Sequence, residues 1–589
     1  MKKQNSSKII AAIVNVIILI VLFLPFENKW FSVLKAVLAI FESVQLLYSA
    51  AKSKEHNLLK VIGASILIAV LLTWILPTTD FQYSLVSDGS KSQVGIFDLF
   101  KYPNSSISYF GNVVVYILVI GGFYGVLNKI GAYRKLLDDL KEGKYFEKFS
   151  KISIKTILMT FALALVTTVV DIIFGKSLGT WIKVFAVIFD IIFAIVIISK
   201  LLGVLSNKVG KGPVMLSTII VLVAIITSIT GAPIAMLLLV PFIVSLVMLM
   251  GYDKLTASLV TIGAIGVGVI GTTFSSTYIV DGYNVVAQNT MGVINGILST
   301  KATDQMIVKV VLLILGILVL IFNTVKYAEK NKSKNVEELE LIPSETKKKL
   351  KKWPVALILD IVFIVTILSM ISWTGVFGTK LFTNITNAFT GFKIFDFPIF
   401  AKLFGDIGAF ESWSIETISI MLVMASAVLA LIYKVKFNEY VESIAEGAKK
   451  ALKPALIVML AYVVLIIVNI HPITLTMIKP LISSKLNVFT GSIAAFVSIL
   501  FNVDTYYAAS NVIPYIISLI TDSSVYSIIA VIWQAMYGLV ILVAPTSVVL
   551  LAILGYLNVS YGKWLKSNWK FLLEIIILVL ICLTVLILI

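Results

Sequence analysis

Four short stretches of this chain combine polar side chains with helix-breaking residues, and all four lie inside apolar runs. They are Ser228, Thr230, Gly231, Ala232 and Pro233; then Thr272, Thr273, Ser275 and Ser276; then Asn502, Asp504 and Thr505; and finally Pro545, Thr546 and Ser547. A Gly or Pro that interrupts a helix at membrane depth frees backbone N–H and C=O groups. Such groups are tolerated there only where protein or a watery cavity satisfies them. The N-terminal end of a helix piece carries about half a positive charge, which suits a carboxylate. Opposing C-terminal ends and freed carbonyls suit Na⁺, and hydroxyls or the Asn502 amide serve either ion. We read Ser228, Thr230, Gly231, Ala232, Pro233, Thr272, Thr273, Ser275, Asn502, Thr505, Pro545, Thr546 and Ser547 as substrate-binding positions. Asp504, Asn502 and Ser276 are read as cation-coupling positions. No cofactor is implied beyond Na⁺, which such a site can take.

Asp504 is the sharpest single residue. An acid inside the membrane costs about 2.5–3.5 kcal/mol on insertion scales and usually has a partner. It can bind Na⁺ or H⁺, hold a substrate amine, or simply cap the following helix. Asp171, Asp190 and Asp360 also lie in apolar runs. Asp171 is near a span end and reads as solvated, Asp360 lies near an interface, and Asp190 reads equally as a proton site or an inter-helix hydrogen bond. Arg134 is the only arginine and sits among lysines in a connecting segment, so no bidentate arginine clamp on a substrate is available. His56 and His471 are the only histidines and Cys582 the only cysteine. That excludes a disulfide within the chain, a Ser-His-Asp set and metal-ligand spacing. There is no phosphate-binding Gly-rich loop. His471 precedes Pro472 at the end of an apolar run and reads as structural.

The elements that must position these residues are membrane helices. Apolar residues make up 59% of the 589 residues and charged residues 13%, with mean hydropathy +1.03. Soluble domains carry roughly 45–50% apolar and about 25% charged residues. The apolar residues fall in runs of about 16–20, long enough to cross a hydrocarbon layer of roughly 30 Å. The net charge of +17 does not point to nucleic acid, because the lysines are dispersed over short connections rather than gathered on one domain. Lys-rich and Lys-poor connections alternate, as expected where basic loops stay cytoplasmic. The alternation closes only if residues 214–250 enter and leave on the inner side and residues 488–520 enter and leave on the outer side. The arm 214–228 would give about 22 Å of helix, short of a crossing.

The expected fold is therefore an all-α polytopic membrane protein with about 13 transmembrane spans plus two re-entrant hairpins. Its amino terminus is inside and its carboxy terminus outside, in the cell membrane. Residues 1–77 give three additional spans. Residues 109–327 form a first repeat, with hairpin 214–250 and broken span 255–286. A basic linker covers 328–352. Residues 353–589 repeat the pattern in inverted sense, with hairpin 488–520 and broken span 527–557. Inverted repeats with paired interrupted segments point to a secondary transporter with a midplane site. Trp74, Trp353, Trp413 and Trp564 read as interface anchors, and residues 434–453 as a helix along the inner surface. The rival classes are a membrane-embedded enzyme, with its chemistry in the loops 77–109 and 372–414, and a channel or scaffold.

Several motifs also resemble a known family. Leu71-Leu72-Thr73-Trp74-Ile75-Leu76-Pro77, Val119 to Leu127 with its Gly121-Gly122-Phe123-Tyr124-Gly125 centre, Gly251-Tyr252-Asp253 and Pro545-Thr546-Ser547 are similar to motifs of YfcC-like carriers. Those carriers are related to the anaerobic four-carbon dicarboxylate carriers of the DcuC type, in the ion transporter superfamily. The resemblance covers roughly residues 60–589. It implies a homodimeric, elevator-like secondary carrier for a small carboxylate-bearing solute, either a dicarboxylate or an amino acid or short peptide, coupled to Na⁺ or H⁺ or working by exchange. One departure stands out: Thr230-Gly231-Ala232-Pro233-Ile234-Ala235 occupies a place where YfcC-like proteins tend to carry acids.

Overall fold

The computed structural model describes residues 14–18, 20–22, 29–76, 93–178, 180–274, 290–332, 350–374, 377–405 and 407–588. Among them there is no β-strand, and helices follow one another from Lys29 to Leu588. Among the described residues, eleven helices are long and apolar enough to cross a membrane. The chain is a multi-pass, all-helical membrane protein. Helix pair Ile154–Leu178 and Thr180–Val209 pack mainly on each other. Their outward Leu, Ile and Phe side chains stay exposed, as expected where lipid is the solvent.

At the centre, helix Phe437–Ile470 packs along helix Ile96–Ile130. Small residues let the two backbones meet. A Cβ on Gly125 would lie 2.2 Å from the Ser443 carbonyl oxygen, and one on Gly447 would lie 2.1 Å from that of Gly121. Membrane helices gain little from burying apolar surface against each other, so close small-residue crossings of this kind hold them together. The amino-terminal half of Phe437–Ile470 corrects one expectation. Of residues 434–453, those from Phe437 onward do not form a separate surface helix but run on through Pro454 into the span. The reason is the buried stripe Ser443, Gly447 and Ala451, which continues the seam onto helix Ile96–Ile130.

Residues 211–252 and 488–519 each double back on themselves. Gly212, at the start of helix Lys211–Thr230, abuts Tyr252, which follows helix Val240–Leu249. Tyr252 Oη in turn donates to Glu329 at 2.6 Å, and Tyr327 Oη to Asp253 at 2.8 Å. Those bonds pin the hairpin base to the end of helix Met306–Lys330. In the second half, helices Val488–Asn502 and Thr505–Leu519 pack together, and Asn487, Thr490, Ile516 and Ile520 surround one small pocket at the base. The length argument from sequence is corrected for the first hairpin. Its rising arm has 20 residues, which is long enough to cross, whereas the second hairpin's rising arm has 15. Trp564 and Trp413 are also not surface anchors. Both are buried, and their indole N–H groups donate to the carbonyls of Leu542 and Gly408 at 2.9 Å.

The elements adjoining the hairpins pack in corresponding ways. Helix Lys211–Thr230 lies on Ala264–Ile270, and Val488–Asn502 on Tyr526–Val543. Ala264–Ile270 packs on Tyr526–Val543, and Met306–Lys330 on Tyr561–Leu588. Gly266 and Gly538 face each other at this crossing, where a Cβ on Gly538 would come within 2.7 Å of the Gly266 carbonyl oxygen.

Candidate functional site

The first hairpin turns where helix Lys211–Thr230 stops at Gly231, whose φ of 61° is left-handed and costs little only for glycine. Buried Ala232 and Pro233 lead into a short 3₁₀ turn, Ala235–Leu239. Tyr116 and Tyr124 hold that turn by donating to the carbonyls of Ala235 and Leu238 at 2.8 and 2.9 Å. The tip is fastened to the first break. Ser228 Oγ donates to the Gly271 carbonyl at 2.7 Å, and the Thr273 N–H donates to the Ser228 carbonyl at 3.1 Å. Thr272 and Thr230 donate within their own helices, to Val269 and Ile226. Before the break, Leu259–Gly263 is a π-helical turn, a device common at functional sites. Ser275 and Ser276 lie outside the described residues.

The second hairpin turns at Val503, with φ 56° and ψ −46°, a conformation rare for a β-branched residue. Backbone strain of that kind persists only where surrounding contacts enforce it. Asp504 caps the next helix by accepting from the Tyr506 N–H at 2.8 Å. Asn502 sits in a buried amide cluster. Its Nδ2 donates to the Ser498 carbonyl at 2.8 Å and the Thr474 hydroxyl at 3.3 Å, while its Oδ1 is approached by the amides of Asn469 and Asn511 at 3.4 Å. The Thr505 hydroxyl and Asn511 Oδ1 are buried without a hydrogen-bond partner. Thr546, in the second break, donates to the Leu500 carbonyl at 2.6 Å. Each hairpin is thus tied to its own half's break by one hydroxyl-to-carbonyl bond.

A small cavity lies where these parts converge. Ile234 from the first tip, Val503 and Asp504 from the second, and Ser547, Val548 and Val549 from the second break line it, together with Tyr462 and Tyr537. Ser547 Oγ accepts from the Leu550 N–H at 3.3 Å and so caps helix Val548–Leu557. The first N–H groups of that helix have no partner within it, and they adjoin the cavity that Asp504 also lines. Tyr462 stacks on Phe110 with centroids 4.2 Å apart, at a kink in helix Ile96–Ile130 where Phe110 departs from helical geometry. Of the residues singled out from sequence, Asp504 and Ser547 line the cavity directly. Ser228, Thr273 and Thr546 instead join tip to break, and Pro545 is half-buried beside Thr546. Tyr462 and Tyr537 were missed by sequence reasoning, as was Gln534, whose Nε2 donates to the Ile270 carbonyl at 2.9 Å and closes the end of the first half's broken helix.

A wider cavity of roughly 440 Å³ lies one helical turn further along Val548–Leu557, at Ala552, Ile553 and Tyr556. Its walls include Leu237 and Pro241 of the first hairpin, Tyr124, and Pro454, with Lys129, Glu442, Glu446 and Lys450 also lining it. The remaining acids stand apart from both cavities. Asp190 accepts from the Thr168 hydroxyl of the neighbouring helix at 3.2 Å, the inter-helix hydrogen bond that was one of its two readings. Asp360 is exposed. His471 is buried and paired with Tyr102 Oη at 2.8 Å, in keeping with a structural role. Among the described residues no group of three or more His, Cys, Asp or Glu is placed to hold a metal ion.

Comparison with known proteins agrees with a carrier architecture. Residues 57–173 and 188–588 match the family described as DcuC, C4-dicarboxylate anaerobic carrier. The chain belongs to the DcuC family. It is accordingly a membrane carrier for small molecules, held in a lipid bilayer. No curated protein matches it significantly. Among solved structures, the Alcanivorax borkumensis YdaH transporter, described as having an unusual topology, matches at 10% identity and a TM-score of 0.38, with 90% of this chain and 97% of that chain covered. That overlap is too loose to align a site between the two carriers.

Proposed function

We propose that this chain is a secondary carrier of C4-dicarboxylates whose substrate binds between the two hairpin tips and the second break. The observation that carries this reading is the junction around the small cavity, which at about 10 Å³ admits a four-carbon diacid only once the two tips part. It brings Asp504, Ser547 and the start of helix Val548–Leu557 together between segments from both halves of the chain. A substrate carboxylate fits the unpaired N–H groups of Val548 and Val549 and the helix dipole behind them. Tyr462 and Tyr537 supply hydroxyls to the second carboxylate. Asp504 would repel a bare dianion, so a cation must enter with the substrate, and Asp504 holds it. Na⁺ is the first choice and H⁺ the second.

The wider cavity serves as the access path from the Lys-rich, cytoplasmic side. The two hairpins are re-entrant from opposite faces of an inverted repeat that covers 109–327 and 353–589. The placement of 13 spans in all, with residues 1–77 outside the repeat and 328–352 as the linker, belongs to the same proposal. So do the YfcC-like kinship, a homodimeric scaffold and elevator-type motion. Support comes from the corresponding packing of the two halves and from hairpin bases that close on themselves.

Binding of succinate to purified protein, measured with and without Na⁺, tests the location. Ser547→Ala and Tyr462→Phe each remove one hydrogen-bonding group worth about 0.5–1.5 kcal/mol, so affinity should fall about two- to tenfold. Unchanged affinity in both variants would place the substrate elsewhere.

A further inference from the structure

The segment between helices Trp353–Ser369 and Ile415–Ile432, read from sequence as the loop 372–414, carries an apolar surface that no other helix covers among the described residues. Helix Leu381–Gly391 has no buried residue and packs mainly on the short helix Ile399–Phe404. Leu381, Phe382, Ile385, Ala388 and Phe389 recur at helical spacing along one side, while Thr383, Asn384, Thr386, Asn387 and Thr390 take the other. Phe389 stacks on Phe400 with centroids 4.4 Å apart, which joins the two helices into one unit. Ile385 is nevertheless 52% exposed and Leu403 70%.

The turn between the helices sharpens the point. Ile394 and Phe397 pair through two backbone hydrogen bonds of 3.0 Å, and the two residues between them, Phe395 and Asp396, have φ of 50° and 63°. A turn with both central residues left-handed favours Asn-Gly. Here it presents a phenylalanine that is 99% exposed. A bulky aromatic in a disfavoured backbone conformation gains nothing from projecting into water.

The neck of the unit fixes its height. The Glu411 N–H donates to the Ser369 carbonyl at 3.0 Å, and its carboxylate accepts from the Thr374 N–H at 2.7 Å. The paired helices therefore leave the ends of two membrane helices at one tied point. Those two helices expose apolar side chains of their own near the neck, Ile364 and Ile420, so the unit adjoins helices that also present apolar side chains outward. Lys380, Lys393 and Lys402 are exposed on the unit, against one acid, Asp396, between residues 377 and 404.

We infer that residues 377–404 form an in-plane lipid-binding paddle. Its Phe, Ile and Leu side chains enter the leaflet next to helices Trp353–Ser369 and Ile415–Ile432, and its lysines meet anionic headgroups. Neither helix is long enough to cross; Thr383, Thr386 and Thr390 are half-buried, and the exposed Asn384 and Asn387 remain toward water.

The test uses the full chain in vesicles of phosphatidylglycerol and phosphatidylcholine, with Cys582→Ser as background. Single nitroxide labels are placed through Ile385→Cys, Phe395→Cys, Leu403→Cys and, as the water-facing control, Asn387→Cys. Collision with lipid-soluble oxygen and with the water-soluble nickel complex NiEDDA is read from the spin-label spectra. The three apolar positions should show an oxygen-to-NiEDDA accessibility ratio several-fold above that of position 387. Free access of NiEDDA to those positions would mean that the unit stands in water. Shielding from both reagents would mean that a second protein copy covers it. Either result overturns the inference.

Discussion

At the scale of single residues, Asp504 combines two roles that one substitution can separate. Its side chain caps helix Thr505–Leu519 and also faces the cavity between the tips. Asparagine caps a helix about as well as aspartate but carries no charge. Asp504→Asn should therefore fold and reach the membrane at normal levels while transport loses its dependence on the Na⁺ gradient, or on pH if the ion is H⁺. Gradient dependence retained at the wild-type level would reduce Asp504 to a helix cap. Asp504→Ala removes both roles and should in addition lose about 0.5–2 kcal/mol of stability, readable as a lower melting temperature. The residue types at both tips and both breaks were legible in the sequence, because Gly, Pro and hydroxyl residues inside apolar runs are rare and costly. Which of them face the cavity was not. A hydroxyl such as Ser228 or Thr546 looks the same in sequence whether it meets a ligand or a carbonyl, and here each is bonded to a carbonyl 43 or 46 residues away. Tyr462 gave no signal at all, since a tyrosine in an apolar run reads as packing.

Among the elements, the crossing of helices Ile96–Ile130 and Phe437–Ile470 sets the shape of the access cavity, which Gly121, Gly125, Gly447 and Ala451 all line. A side chain at Gly447 would meet the Gly121 backbone and force the helices apart. Gly447→Val should cost roughly 1–3 kcal/mol or more by overpacking, seen as a lower melting temperature in detergent. Gly391→Ala, at a position with open space around it, should stay within about 0.5 kcal/mol of the parent protein. Equal behaviour of the two variants would remove this crossing from the account. The glycines at 121, 122 and 125 were noticed in the sequence as part of a family motif. Their packing role was hidden because Gly447 lies more than 300 residues away. Helix limits were likewise hard to read where apolar and polar residues mix. Lys211, Gly212 and Pro213 belong to the first hairpin's rising helix, which made that arm longer than its apolar run.

For the whole molecule, the proposed inverted arrangement makes a topological prediction. Single cysteines at Asn487 and at Asn207, both exposed, in the Cys582→Ser background, should react with a membrane-impermeant maleimide from opposite sides, Asn487 from outside and Asn207 only after the membrane is opened. Labelling of both from the same side would contradict the paired re-entrant hairpins. The membrane class and the carrier reading were legible from composition and from the spacing of breaks. Substrate was not, because no charged side chain near the cavity other than Asp504 constrains it, and backbone N–H groups leave no mark in a sequence.

The central claim is that this chain carries C4-dicarboxylates together with a cation, through a site between its hairpin tips. Uptake of radiolabelled succinate into proteoliposomes containing the full chain tests it most directly, with and without an inward Na⁺ gradient and with and without a pH gradient. Unlabelled fumarate, acetate and glutarate serve as competitors. The account predicts gradient-stimulated uptake that fumarate suppresses and acetate does not, and that falls at least several-fold in Asp504→Asn. Absence of succinate uptake under every gradient, from protein that remains folded, would contradict it.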